Sequence, residues 1–175
     1  MNRTESKTIA LVIKSRPLKE GDLLLVLLTQ AAGKITVLAK GVRKLNSKRR
    51  SYLESGNILK VHLVGKQQLS TLAQVELLSD THEARFNLST LKKLLLFLEI
   101  IDRLMVAEAL PLPLFRQILK LREFCLRDFP NSKLREHFSE FLTTLGYQSS
   151  PKESICNQVG ELLGQNLCSY AYLSL

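Results

Sequence analysis

At 175 residues, with 45% hydrophobic and 23% charged side chains, the chain has the composition of one or two small globular domains and is neither disordered nor fibrous. Its formal charge of +9 suits a polyanionic partner or plain solubility. Three cysteines, Cys125, Cys156 and Cys168, are an odd number at no metal-binding spacing, which argues against a disulfide scaffold and for a reducing cytoplasm. The apolar run Ile9 to Ile13 is too short for a signal-peptide core, and Leu94 to Leu110 is broken by Glu99, Asp102, Arg103 and Glu108, so no membrane span is expected.

In chain order, the first half reads as strands. In KTIALVIKSR, Ile9, Leu11 and Ile13 point one way and Ala10, Val12, Lys14 and Arg16 the other. Pro17 and Gly21 break the chain, DLLLVLLTQ is an apolar run of buried-strand length, and AAGK turns it again. KITVLAKG alternates, with Ile35, Val37 and Ala39 inward and Lys34, Thr36, Leu38 and Lys40 outward. After a long basic loop, NILKVHLVG and QQLSTLAQVELL supply two more strands. Five short strands with little helix predict a small closed barrel, since closure removes sheet edges. An OB-type barrel leads and an SH3-like barrel is its rival.

The second half changes to helical spacing. Leu91, Leu94, Leu95, Leu98, Ile101 and Met105 recur at three and four, predicting a helix from Asn87 to Ala109. Pro111 and Pro113 precede a second helix over 114–129, and Pro130 and Asn131 a third that closes at Gly146. A capping box predicts the start of a fourth, with Ser150 as cap, Pro151 at the first helical position and Glu153 reaching back. Its buried stripe is Ile155, Val159, Leu162 and Leu163, Gly164 ends it, and the tail from Gln165 makes one more helix. The predicted fold class is α+β, a five-stranded OB-type β-barrel over 1–79 followed by an all-α domain over 80–175.

The charge follows the same division. Residues 1–79 hold 14 Lys+Arg against 5 Asp+Glu, whereas residues 80–175 hold 11 of each, so the whole excess lies in the strand half. Lys40, Arg43, Lys44, Lys48, Arg49 and Arg50 fall within eleven consecutive positions with no acid among them. Lys14, Arg16 and Lys34 are expected at strand ends beside this loop, giving one basic surface. A phosphate backbone is its natural partner, because each neutralised phosphate releases counterions. Tyr52 is the single aromatic residue before Phe86, so base stacking contributes little and weak sequence preference with strong salt dependence is expected.

Catalysis finds little to use. Gly33-Lys34 resembles the end of a phosphate loop, but Leu28 and Ile35 stand where that motif needs Gly and Ser or Thr. His62, His82 and His137 read as surface or junction residues and Cys125 as core. No catalytic residue, metal ligand or cofactor is expected, and the chain reads as a non-enzyme.

The run from ALVIKSRPLKEGD through TQAAGK to AKGVRKLNSKRRS resembles the N-terminal barrel of the bacterial RecO recombination-mediator family. The likeness continues through LLLFLEIIDRLMVAEALPLPLFRQILKL to FLTTLGYQ, about 150 residues in all. It implies an OB-fold with a helical lobe, binding of single- and double-stranded DNA, strand annealing, and work with a RecR-like protein and the single-strand binding protein to load the recombinase in the bacterial cytoplasm, at the nucleoid. Many members continue for some sixty residues and carry a four-cysteine zinc motif soon after LGY. Only Cys156 falls near that place here, so a shortened helical domain without zinc is expected.

The family's single-strand binding partner has an acidic tail ending in an apolar residue, which needs an apolar pocket rimmed by cations. Arg116, Lys120 and Arg127 fall within about 40° on the second helix and offer such a rim. Glu123 shares that face, and a solvated surface with an i,i+3 ion pair is the plainer reading. The rival functions are an RNA-binding OB protein and a non-enzymatic scaffold for an acidic protein partner.

Overall fold

The computed structural model describes residues 4–18, 21–42, 50–66, 69–127, 129–149, 152–164 and 167. Two compact units divide the chain: Met1–Thr81 with Met105–Pro111, and His82–Leu104 with Leu112–Leu175.

The first unit is a five-stranded sheet, β1 (Thr4–Pro17), β2 (Leu23–Thr29), β3 (Gly33–Ala39), β4 (Ile58–Lys66) and β5 (Leu69–Ser79). β4 pairs with both β5 and β1, so the order β1-β2-β3-β5-β4 closes on itself. All pairings are antiparallel except a short parallel contact of Val37 and Leu38 with Ser70 and Thr71. Period-two alternation puts Ala10, Val12, Leu25, Leu27, Val37, Ala39, Leu59, Val61 and Leu63 into one interior cluster. Each Val or Leu among them that is fully removed from water contributes roughly 1.5–3 kcal/mol.

Alternation fails at one point in β1. A bulge shifts the register between Val12 and Lys14, after which Lys14 pairs with Val26 and Arg16 with Leu24. Strict alternation groups Lys14 with Ala10 and Val12 and would turn it into the core. The extra residue, Ile13, turns Lys14 and Arg16 to the outer face instead.

The predicted first helix also ends early. Helix α1 (Leu88–Leu104) starts at Asn87, whose Oδ1 accepts a bond from Thr90 N at 3.2 Å. Beyond Leu104 the chain leaves the helix, and Met105–Pro111 runs along the β2–β3 turn. Lys34 N donates to Val106 O at 2.9 Å, and Leu110 N to Gln30 O at 2.7 Å. Those bonds to the sheet replace the intrahelical ones that the apolar spacing through Met105 had suggested.

The second unit continues with α2 (Leu112–Leu126), α3 (Asn131–Thr144) and α4 (Ile155–Leu163), each packed on the helix before it. Helix α4 starts at Ile155 with Ser154 in the cap position, not at the predicted capping box; Ser150 and Pro151 lie outside the described residues. Its buried face is Ile155, Cys156, Gln158 and Val159, whereas Leu162 is exposed. Gln158 reaches back to Glu153 O (3.1 Å) and accepts from Ser149, which fastens the segment before α4 without a box. The predicted tail helix lies outside the described residues apart from Leu167. Among the described residues, no helix is long and apolar enough to cross a membrane.

Candidate nucleic-acid interface

Between the sheet strands, the basic segment is flanked by two buried residues, Val42 and Leu53, both members of the interior cluster. Its exit is held by Asp22, whose Oδ1 accepts the Gly41 N–H at 2.7 Å. Gly41 has φ +66°, a conformation suited to glycine, and so turns the chain out of β3 under that bond. The return is held by Asn57, which is buried. Its Nδ2 donates to Ser51 O (3.1 Å) and Tyr52 O (3.0 Å), and its Oδ1 accepts from Thr81 Oγ1 at 3.1 Å. The basic loop is therefore rooted at both ends.

Of the expected contact residues, Arg50 is exposed at the returning root and Lys40 at the departing one. Arg16 sits one register position from Pro17, which pairs with Leu23 and through it with Ala39, beside Lys40. Lys14 lies two residues further along the same outer face. Lys34 is placed differently. It is the second residue of β3, six residues and about 20 Å from Lys40, and joins the others by facing outward on β3, not by adjoining the loop. Arg43, Lys44, Lys48 and Arg49 lie outside the described residues.

Replacing Asn57 by Ala should lower stability by about 1–3 kcal/mol, because it strips partners from two carbonyls and the buried Thr81 hydroxyl. Thermal melting checks this; a loss within 0.5 kcal/mol would mean that Leu53 alone anchors the return.

The helical unit carries a second arrangement of cations. Arg116 and Lys120 on α2 line a hollow of ≈ 280 Å³ with Phe124, His137 and Glu140. Lys120 and Arg127 line a neighbouring hollow of ≈ 230 Å³ with Glu123, Phe124 and Phe129. The His137 ring stacks on Phe124 with centroids 3.8 Å apart, and Phe129 packs on the same ring at 5.1 Å. Lys120 Nζ stands 5.9 Å from the Phe124 centroid and Lys133 Nζ 5.9 Å from that of Phe129. Glu123, expected to pair along this face, instead bonds Arg122, which is fully buried.

Among the described residues, no cluster of three His, Cys, Asp or Glu side chains could hold a metal ion. Cys125 is fully buried, and desolvation pushes its thiol far above the ordinary range, with Lys93 and Arg122 only partly offsetting this. Burial and then Glu99 push the Cys156 thiol up as well. Both favour the inert thiol over a thiolate ligand or nucleophile. His62 lies 3.3 Å from Glu5 Oε2, and the His82 ring packs on Phe86.

Residues 1–80, which hold the rooted loop and its strand lysines, match the family model for the recombination protein O N-terminal region. The DNA repair protein RecO of Cellvibrio japonicus is 30% identical over 139 residues, 79% of this chain and 58% of that protein. That of Vibrio parahaemolyticus is 30% identical over 138 residues, 78% of this chain and 56% of its own length. That of Haemophilus influenzae strain PittGG is 40% identical over 65 residues, 37% of this chain and 28% of the relative. This chain belongs to the RecO family. It spans between about a quarter and three fifths of the curated relatives it matches.

Two features of this RecO-family chain escaped the sequence reading. Asp22 was visible in EGD and Asn57 as a strand start, yet neither carries a sign that it fastens a loop. Phe124 belongs to α2, Phe129 to the link after it and His137 to α3, and their packing depends on how α2 crosses α3, which residue spacing does not encode. Thr29 and Gly33 of the T…GK turn are structural too. Thr29 Oγ1 accepts Ala32 N at 3.2 Å and donates to Gly33 O at 3.3 Å.

Proposed function

We propose that this chain is a non-catalytic DNA-binding recombination mediator in DNA repair. In this reading, single- and double-stranded DNA lie by their phosphates along Lys14, Arg16, Lys34, Lys40 and Arg50 and on Arg43, Lys44, Lys48 and Arg49 of the loop. Complementary strands held there anneal, and the complex helps load the recombinase with a RecR-like protein in the bacterial cytoplasm. The observation that carries the reading is the burial of Val42 and Leu53, which flank the basic segment, with Lys40 and Arg50 exposed beside them. Closure of the sheet through the short parallel β3–β5 contact supports an OB-type barrel over an SH3-like one.

The helical unit takes the second part of the proposal. The acidic, apolar-ended tail of the single-strand binding protein seats its end on Phe124 and its acids on Arg116, Lys120 and Arg127. Juxtaposed aromatic and cationic linings support this reading, since an acidic chain end needs both.

The deciding experiment is binding of labelled single-stranded DNA, duplex and structured RNA at matched low salt, followed by an annealing assay. DNA binding with accelerated annealing is expected. Preference for structured RNA would replace the reading with an RNA-binding one, and absence of any nucleic-acid binding would favour a scaffold for an acidic protein.

A further inference from the structure

The hollow between α2 and α3 has cations on one wall and a carboxylate on the other. Arg116 and Lys120 stand on α2, and Glu140 on α3 is the single acid among the described lining residues. Its Oε2 lies 3.3 Å from Nδ1 of His137. His137 in turn packs on Phe124, with ring centroids 3.8 Å apart and the planes tilted by 32°. The stack positions the imidazole, and the imidazole keeps the carboxylate at the mouth of the hollow, although the Glu140 side chain is 67% exposed. An acidic ligand reaching for Arg116 and Lys120 enters within a Debye length of that charge, about 8–10 Å, where repulsion is poorly screened.

We infer that the His137–Glu140 pair is a built-in competitor for the pocket's cations and sets its selectivity. A weakly acidic peptide is repelled by Glu140 more than it gains from one cation. A strongly acidic one engages both cations and displaces the carboxylate from the mouth. Discrimination comes from a repulsive element beside an attractive one. This inference rests on the reading of the hollow as a receptor for an acidic chain end.

The test uses the full chain and a labelled synthetic peptide of four aspartates ending in phenylalanine, followed by fluorescence anisotropy at low salt. Glu140→Gln should bind it about threefold more tightly. His137→Phe keeps a ring on Phe124 but releases Glu140, and should give a gain of similar size. The double variant should gain no more than either single one, because both remove the same interaction. A peptide with asparagine in place of each aspartate should not respond to Glu140→Gln. Unchanged or weaker binding in Glu140→Gln, or gains that add in full, would overturn the competitor. Wild-type protein that ignores the peptide altogether removes the receptor reading and the competitor with it, whereas wild-type binding without a Glu140 response removes the competitor alone.

Discussion

Reversal of Arg43, Lys44, Arg49 and Arg50 to glutamate is expected to weaken DNA binding by roughly a hundredfold or more while leaving the chain folded. Each reversal removes two charges, so the formal charge falls from +9 to +1 and the loop itself becomes repulsive. The fold should survive because none of the anchors is touched. Val42 and Leu53 stay in the interior, and the bonds from Asp22 and Asn57 go to backbone groups. Circular dichroism and melting of the variant check that half of the expectation.

The salt response of the unaltered chain supplies the mechanism. If about four phosphates of a single strand are contacted, log affinity falls with log salt at a slope of roughly −2.8, and a fourfold rise in salt weakens binding about fiftyfold. Alanine at Lys14 or Arg16 alone should lower that slope by about 0.7, because the bulge turns both outward. A flat salt response in the wild type would remove the electrostatic mechanism whatever the variants do.

The β1 bulge shows what the sequence could and could not convey. Strand periods, the break at Pro17 and Gly21, and the charge division between halves were all legible, because they depend on neighbours along the chain. Lys14 was assigned to the same side as Ala10 and Val12 by alternation, and one extra residue at Ile13 reverses that. A bulge of this kind leaves little mark in composition, since Ile13 is as apolar as its neighbours. The helix ending at Leu104 failed for a related reason. Met105 keeps the helical apolar spacing, but Val106 and Leu110 find backbone partners in the β2–β3 turn some 75 residues earlier. Contacts at that separation outweigh local propensity and cannot be read from it. The cationic rim at Arg116, Lys120 and Arg127 was legible from one helix, whereas its aromatic floor needed the second helix in place.

Gly33→Ala is expected to be strongly destabilising in the strand unit, for reasons that involve no side chain of its own. Gly33 has φ +61°, where an alanine costs about 1–2 kcal/mol. A Cβ there would stand 2.1 Å from Glu108 O, 2.4 Å from Val106 O and 2.7 Å from Glu108 N. All three are backbone atoms and cannot rotate away, so Met105–Pro111 must lift from the turn. Lifting it breaks the bonds Lys34 N to Val106 O and Leu110 N to Gln30 O, at about 1 kcal/mol each. A total near 3 kcal/mol should lower the melting temperature by roughly 6–12 °C for a chain of this size. Gly146 provides the comparison, since its φ is +88° and a Cβ there meets nothing within 4 Å. Gly146→Ala should therefore show the backbone cost alone, roughly 2–8 °C. Equal losses in the two variants would mean that Met105–Pro111 does not lie against the turn.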